Sequence, residues 1–235
     1  MENALYMDDS YLKEFESVVE SVKDDKYVIL DKTAFYPLGG GVSCDTGVLI
    51  KDNEEFPVVY VGKFGGKISH EVSKAGLKPN DKVVGKIDWE RRHKLMRLHT
   101  TAHLLASIFH NKGNVFITGN QIEPDKSRMD FSLENFDRTL IEGYFKLANE
   151  LIQKDAPVKI SYMEREEALK IPDMVKLANK MPPDVETLRV VEIEGIDKQA
   201  DGGCHVKSIK EIGKIELVKL ENKGKSNRRV YFDVE

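Results

Sequence analysis

Side chains able to hold a divalent metal ion cluster in two short stretches of this 235-residue sequence. The first is His99-Thr100-Thr101-Ala102-His103. Two histidines four residues apart on a helix stand one turn apart on the same face and can chelate one ion. A metalloprotease helix would place Glu directly after the first His as its general base. Thr100 stands there instead, which disfavours a zinc protease. Taken alone, the pair also fits two ordinary helical histidines.

The second stretch is Asp201-Gly202-Gly203-Cys204-His205. Asp, Cys and His are all zinc ligands, and two glycines let the backbone turn tightly toward an ion. Asp201 and His205 lie four apart around that turn and can converge. Cys204 and His205 are neighbours, and in extended backbone they would point to opposite faces. Joined to His99 and His103, the stretch supplies three or four ligands, with Asp201 and Cys204 as rivals for the fourth place. A zinc ion held this way can activate water, polarise a carbonyl, or grip an amino group of a substrate. No Ser-His-Asp or Cys-His arrangement is evident, so a covalent intermediate is disfavoured.

A third stretch runs Thr33-Ala34-Phe35-Tyr36-Pro37-Leu38-Gly39-Gly40-Gly41 and leads to Asp45-Thr46-Gly47. Three consecutive glycines let backbone amides approach a ligand. As a nucleotide loop it fails, having neither a following Gly-Lys-Ser/Thr nor a G-x-G-x-x-G pattern. A plain connection between strands is the alternative.

These stretches need elements to hold them. Apolar runs at 27–30, 47–50, 56–61 and 83–87, separated by Gly, Asn, Asp and Pro, predict short strands in a small barrel or sandwich. A short amphipathic helix is expected at 11–22. Asp88 can cap a helix over 89–111, in which Leu95, Leu98, Ala102, Leu105 and Phe109 form the core stripe and Met96, Ala106 and His110 continue the histidine face. A second helix is expected at 137–154, with Leu140, Ile141, Tyr144, Phe145, Ala148, Leu151 and Ile152 on one face. A shorter one is expected at 165–171. Strands are predicted at 115–118, 127–131, 158–163, 188–193, 205–208 and 213–221. The last turns through Lys223-Gly224-Lys225-Ser226-Asn227 into 229–232. The fold class is α+β, with a barrel-like β domain over 1–88 and an antiparallel sheet with helices over 89–235.

Bulk properties narrow the function classes. With 40% apolar residues the chain can bury a core. No apolar run approaches the roughly 20 residues that span a bilayer. The N-terminus has early acids and no positively charged segment before an apolar one, so it is not read as a signal peptide. Two cysteines, Cys44 and Cys204, are too few for a disulfide framework. Reduced thiols suit the cytoplasm. A net charge of −4 argues against wholesale coating of nucleic acid. A local basic patch of Lys223, Lys225, Arg228 and Arg229 is available to phosphates, or is simply a solvated hairpin tip.

All three stretches, in this order, resemble the editing domains of alanyl-tRNA synthetase and its free-standing AlaX relatives. Phe35-Tyr36-Pro37 with Gly39-Gly40-Gly41 and Asp45-Thr46-Gly47 is similar to the family's glycine-rich motif. Arg97 to Leu105 resembles its R-x-H-T-A-x-H-L-L helix, and Gly202-Gly203-Cys204-His205-Val206 its C-G-G-T-H-V turn. The likeness extends to Thr118-Gly119-Asn120-Gln121, Asp130-Phe131, Glu211-Ile212-Gly213 and Lys223 to Arg229, and so covers most of the chain from about residue 27.

The resemblance implies zinc bound by His99, His103 and His205. The family's fourth ligand is a Cys whose position here is Asp201, while the Thr of that turn is Cys204. Asp201 sits in the right register and is a competent, harder ligand. Val42 stands where the family usually has Gln. The implied activity is zinc-dependent hydrolysis, in trans, of the ester in tRNA(Ala) mischarged with serine, and possibly with glycine. Thr33 is then the candidate partner for the seryl hydroxyl. Three rival functions stand beside it: a tRNA-binding module with structural zinc, a hydrolase of another ester or amide, and editing of another tRNA.

Overall fold

Asp52 and Asn53 adopt φ of 49° and 65°, the left-handed pair that closes a tight antiparallel hairpin. It joins the third and fourth of six strands: β1 (Glu14–Lys23), β2 (Tyr27–Leu30), β3 (Gly47–Lys51), β4 (Glu54–Phe64), β5 (Lys67–Val72) and β6 (Lys82–Ile87). They form a closed barrel in the order β1-β2-β5-β4-β3-β6, every neighbouring pair antiparallel. Phe15, Val19, Val28, Leu49, Phe56 and Val61 fill its interior.

The molecule is seen in a computed structural model, which describes residues 3–133, 137–171, 174 and 185–235. The helix expected at 11–22 is instead β1. Phe15, Ser17 and Val19 point inward at every second position, while Glu14 and Glu16 stay exposed. Phe15, Val18, Val19 and Val22 also fit a helical stripe, so the local pattern serves both periods. Pairing with β2 and β6 settles it. β5 was not anticipated, because a histidine, His70, occupies a buried core position on it.

The chain folds into two compact units, Met1–Leu95 and Met96–Glu235. Helix α1 (Trp89–Gly113) begins in the first and continues through the second. Leu95, Leu98, Ala102, Leu105 and Phe109 are all buried, as their spacing predicts, and so are Met96, Leu104, Ala106 and Ile108.

In the second unit follow β7 (Ile117–Gln121), β8 (Ser127–Phe131), α2 (Arg138–Ile152), β9 (Val158–Glu164), α3 (Arg165–Ala168), β10 (Thr187–Ile193), β11 (Asp197–Ala200), β12 (Ile215–Asn222) and β13 (Arg228–Val234). One sheet has the order β12-β13-β8-β7 and another β11-β10-β9, both antiparallel. The Phe109 ring stacks on Phe131 of β8 at 4.0 Å and meets Tyr144 of α2 edge-on at 4.9 Å. That joins both helices to the four-stranded sheet. Asp137 caps α2, its carboxylate accepting from the Leu140 amide at 3.1 Å. Leu140 itself, placed on the buried face by its spacing, is 42% exposed. The strand expected at 205–208 is also absent. Ser208 there caps a 3-10 turn, Ile209–Ile212, through a capping box with Glu211.

Candidate metal centre

α1 turns His99, Thr100, His103 and Ser107 toward the β10–β11 hairpin and the turn that follows it. Ser107 donates to the Ile196 carbonyl at 2.6 Å. One turn earlier, His103 Nδ1 meets Asp197 Oδ2 at 3.2 Å. Another turn back, Thr100 Oγ1 lies 3.1 Å from His205 Nδ1 and accepts from the Val206 amide at 3.3 Å. Helical spacing thus becomes a seam of polar contacts holding the Asp201–His205 turn against the histidine face.

Within that turn the backbone conformation sets the site. Asp201 Oδ2 accepts from the Gly203 amide at 2.6 Å, a local Asx turn that folds the chain back on itself. Arg189 of β10 donates to the Asp201 carbonyl at 2.8 Å and anchors its start. Gly203 is required by space. A Cβ there would sit 2.4 Å from His99 Cε1 and 2.6 Å from its Nδ1.

The result is a convergence of four donors. Ligand atoms of His99, His103, Asp201 and His205 all lie within 4.8 Å of one another. Asp201 Oδ1 is 3.6 Å from His99 Nε2 and 3.9 Å from His103 Nε2, and its Oδ2 is 3.1 Å from His205 Nε2. His103 and His205 both turn Nε2 to the carboxylate and Nδ1 to a group behind. The three histidines are buried, and the Asp201 side chain is 21% exposed. Cys204 is buried in the same turn but does not join this group.

Electrostatics agree with a cation site. Burial pushes His99 down to about 4 and His205 well below its usual range, each opposed by Asp201. Burial opposes the charged form of His103 as well, yet hydrogen bonds to Asp197 and Asp201 carry it up to about 9. Asp201, despite its burial, is held well below the carboxylate range by His99, His103 and His205. Two imidazoles that resist protonation, and a third whose proton a metal would displace, gathered round an ionised carboxylate, form an N3O donor set that zinc accepts. The residues present therefore fit a divalent metal.

The other sequence-predicted residues lie elsewhere. Thr33 is buried in the barrel unit, where its hydroxyl meets His70 Nε2 at 2.8 Å and accepts from the Phe35 amide at 3.1 Å. His70 Nδ1 in turn contacts the Val28 carbonyl at 3.0 Å. Gly40 and Gly41 take φ of 61° and 82°, and Tyr36 donates to the Gly39 carbonyl at 3.0 Å. Asp45 of the same motif is caught by the buried guanidinium of Arg92. On the β12–β13 hairpin, Lys223 pairs with Glu221 at 3.1 Å and Lys225 is exposed. Arg228 is buried and donates to the Gly224 carbonyl at 2.7 Å and the Asn227 carbonyl at 3.0 Å. Arg229 grips Asp130 with two bonds of 2.7 and 2.9 Å.

Asp197, Gln199 and His70 escaped the sequence reading, and Thr100 entered it only as the residue that displaces a Glu. Nothing in their spacing marks them: Asp197, His70 and Thr100 act through contacts distant in sequence, and Gln199 holds Asp197 from two residues along the same strand.

Comparison with known proteins joins these observations to a lineage. Residues 5–91 match the family model of class II (A) tRNA synthetases. Residues 188–231 match that of the second additional domain of threonyl and alanyl tRNA synthetases. A protein of Saccharolobus solfataricus named alanyl-tRNA editing protein AlaX-M is 51% identical over 100% of both chains. Its namesake from Methanosarcina acetivorans is 49% identical over 99% of this chain and 98% of its own. The alanine–tRNA ligase of Thermofilum pendens is 37% identical over 97% of this chain, which spans 25% of the ligase.

Proposed function

The chain belongs to the free-standing alanyl-tRNA editing family, and from that membership we propose that it deacylates tRNA(Ala) mischarged with serine, and with glycine, at a zinc ion held by His99, His103, Asp201 and His205. The observation behind the reading is the convergence of three imidazoles and one carboxylate within 4.8 Å on the helix and turn that resemble the family's own motifs.

When bound, zinc supplies Lewis acidity, for the ester carbonyl or for a water whose pKa falls toward about 7. The chain's own residues do the rest. His99, His103 and His205 are buried, and that desolvation strengthens any charge interaction at the centre. Gly203 gives His99 room. Functionally we divide the chain at 88/89, with the glycine-rich motif on one side and the editing domain on the other.

Selectivity needs a group that notices a hydroxyl, because a site built for one leaves a polar atom unpaired when it is missing. Thr33 is our candidate, with Gly39, Gly40 and Gly41 presenting backbone to the substrate. Lys223 and Lys225 are proposed to meet tRNA phosphates. Arg228 and Arg229, engaged with the hairpin and Asp130, support the strand that carries them. Two buried cysteines outside any disulfide, Cys44 and Cys204, suit work in the cytoplasm.

A second reading has one observation in its favour. Four protein donors resemble a closed structural zinc site, which would make the chain a tRNA-binding module without turnover.

One assay separates the two. Purified Ser-tRNA(Ala), Gly-tRNA(Ala) and Ala-tRNA(Ala) are incubated with the protein, with and without a zinc chelator. We expect rapid, chelator-sensitive loss of the seryl ester and a stable alanyl ester. Thr33→Val should erode that discrimination, and alanine at both lysines should flatten the salt dependence of tRNA binding. Tight tRNA binding with no ester loss would establish the second reading instead.

A further inference from the structure

Two groups outside the ligand set touch the far nitrogens of the metal-facing histidines, and their chemistry determines where the protons sit. The Thr100 hydroxyl donates its hydrogen to the Met96 carbonyl of its own helix at 2.9 Å. It therefore offers only lone pairs elsewhere, and the Val206 amide donates to one of them at 3.3 Å. His205 Nδ1, 3.1 Å away, must be the donor in that contact. The ring then has a bare lone pair at Nε2, on the side of Asp201.

The same logic holds at His103 with a stronger partner. The Asp197 side chain is wholly buried, and its Oδ2 takes His103 Nδ1 at 3.2 Å and the Gln199 amide at 2.9 Å. A carboxylate accepts and does not donate, so it holds a proton on Nδ1. Gln199, two residues along β11, fixes the carboxylate from behind. The Ser107 bond to the Ile196 carbonyl keeps this end of the hairpin against α1.

We infer that Asp197 and Thr100 are positioning residues of the metal centre: they hold protons on Nδ1 of His103 and His205 and so reserve both Nε2 atoms for a divalent cation. This rests on reading His99, His103, Asp201 and His205 as the metal ligands. The two supports are unequal. The carboxylate brings a negative charge near the cation as well as an orientation, whereas the hydroxyl brings orientation alone. Asp197 therefore contributes more to affinity.

The test is the zinc dissociation constant, measured by competition with a chromophoric chelator on the full chain. Thr100→Val and Asp197→Asn should weaken zinc, Asp197→Ala most, within the about 10- to 100-fold range of such outer partners. Thr100→Ser keeps the hydroxyl and should bind as wild type does. In the zinc-loaded protein, proton–nitrogen NMR of the imidazoles should show Nδ1–H on both His103 and His205. Cobalt in place of zinc should give a visible spectrum that shifts in Asp197→Asn, which a purely structural role would leave unmoved.

Folded variants of both residues that bind zinc within twofold of wild type would overturn the inference. So would Nε2–H resonances on either ring. A wild-type chain that binds no zinc would remove the metal reading itself and the inference with it. Wild-type binding beside indifferent variants would remove only the inference.

Discussion

At the scale of single residues, His99 and Gly203 share one space. The imidazole edge occupies the volume a side chain at Gly203 would need, so the glycine is demanded by packing rather than by a left-handed turn. Gly203→Ala should push His99 away from Asp201. We expect that variant to lose zinc on dialysis against a chelator concentration that leaves wild type loaded, as read by metal analysis; full retention would refute the packing argument. The four converging donors were legible in the sequence because their types suit a metal and helical and turn spacing brings each pair together. Register in the motif pointed to Asp201 rather than Cys204, and the Asp201 carboxylate lies among the three imidazoles. Asp197 and Thr100 were not legible as partners. Their contacts join residues 94 and 105 positions apart, and no local pattern encodes such a meeting.

At the scale of elements, the first turn of α1 and the glycine-rich loop are joined by one buried ion pair. Arg92 gives Nε to both oxygens of Asp45 at 2.9 and 3.1 Å, Nη1 to the Ser10 carbonyl at 2.9 Å and Nη2 to the Ala34 carbonyl at 2.6 Å. Asp45 also accepts from the Tyr36 amide at 2.6 Å, so both ends of the loop depend on one carboxylate. Arg92→Met would leave that carboxylate buried without its cation. The expected loss is about 3–5 kcal/mol in urea unfolding, with part of it recovered when Asp45→Asn is added. A loss below about 1 kcal/mol, the value of an exposed pair, would contradict this. Strands marked by a short apolar run or by alternating apolar residues were legible, as at 27–30 and 127–131. β5 and β11 were hidden because their inward positions include His70, Asp197 and Gln199, polar residues that interrupt an apolar pattern. β1 was misread because its apolar residues satisfy two periods at once, and only its neighbours in the barrel decide between them.

At the scale of the molecule, the buried histidine of the barrel couples stability to pH. Burial pushes His70 down from 6.5 to about 4, its Nδ1 contact with the Val28 carbonyl only partly offsetting this. Between those values the unfolded chain takes up a proton that the folded barrel refuses. Stability from this group is therefore complete above about pH 6.5 and is lost as pH falls toward about 4. At about 1.4 kcal/mol per unit, that loss is of order 3 kcal/mol. Urea unfolding followed by a barrel probe should show this acid slope in wild type and a shallower one in His70→Gln. Equal slopes would mean that His70 does not titrate on unfolding. The other buried histidines are tied to function by the proposed metal. The most direct test strips zinc from the protein and follows seryl ester hydrolysis from tRNA(Ala) as zinc is returned. Zinc-dependent hydrolysis predicts no activity in the stripped protein and a linear rise that breaks at one zinc per chain, absent when Asp201 is replaced by alanine. Full hydrolysis by the stripped protein, unchanged on adding zinc, would contradict it.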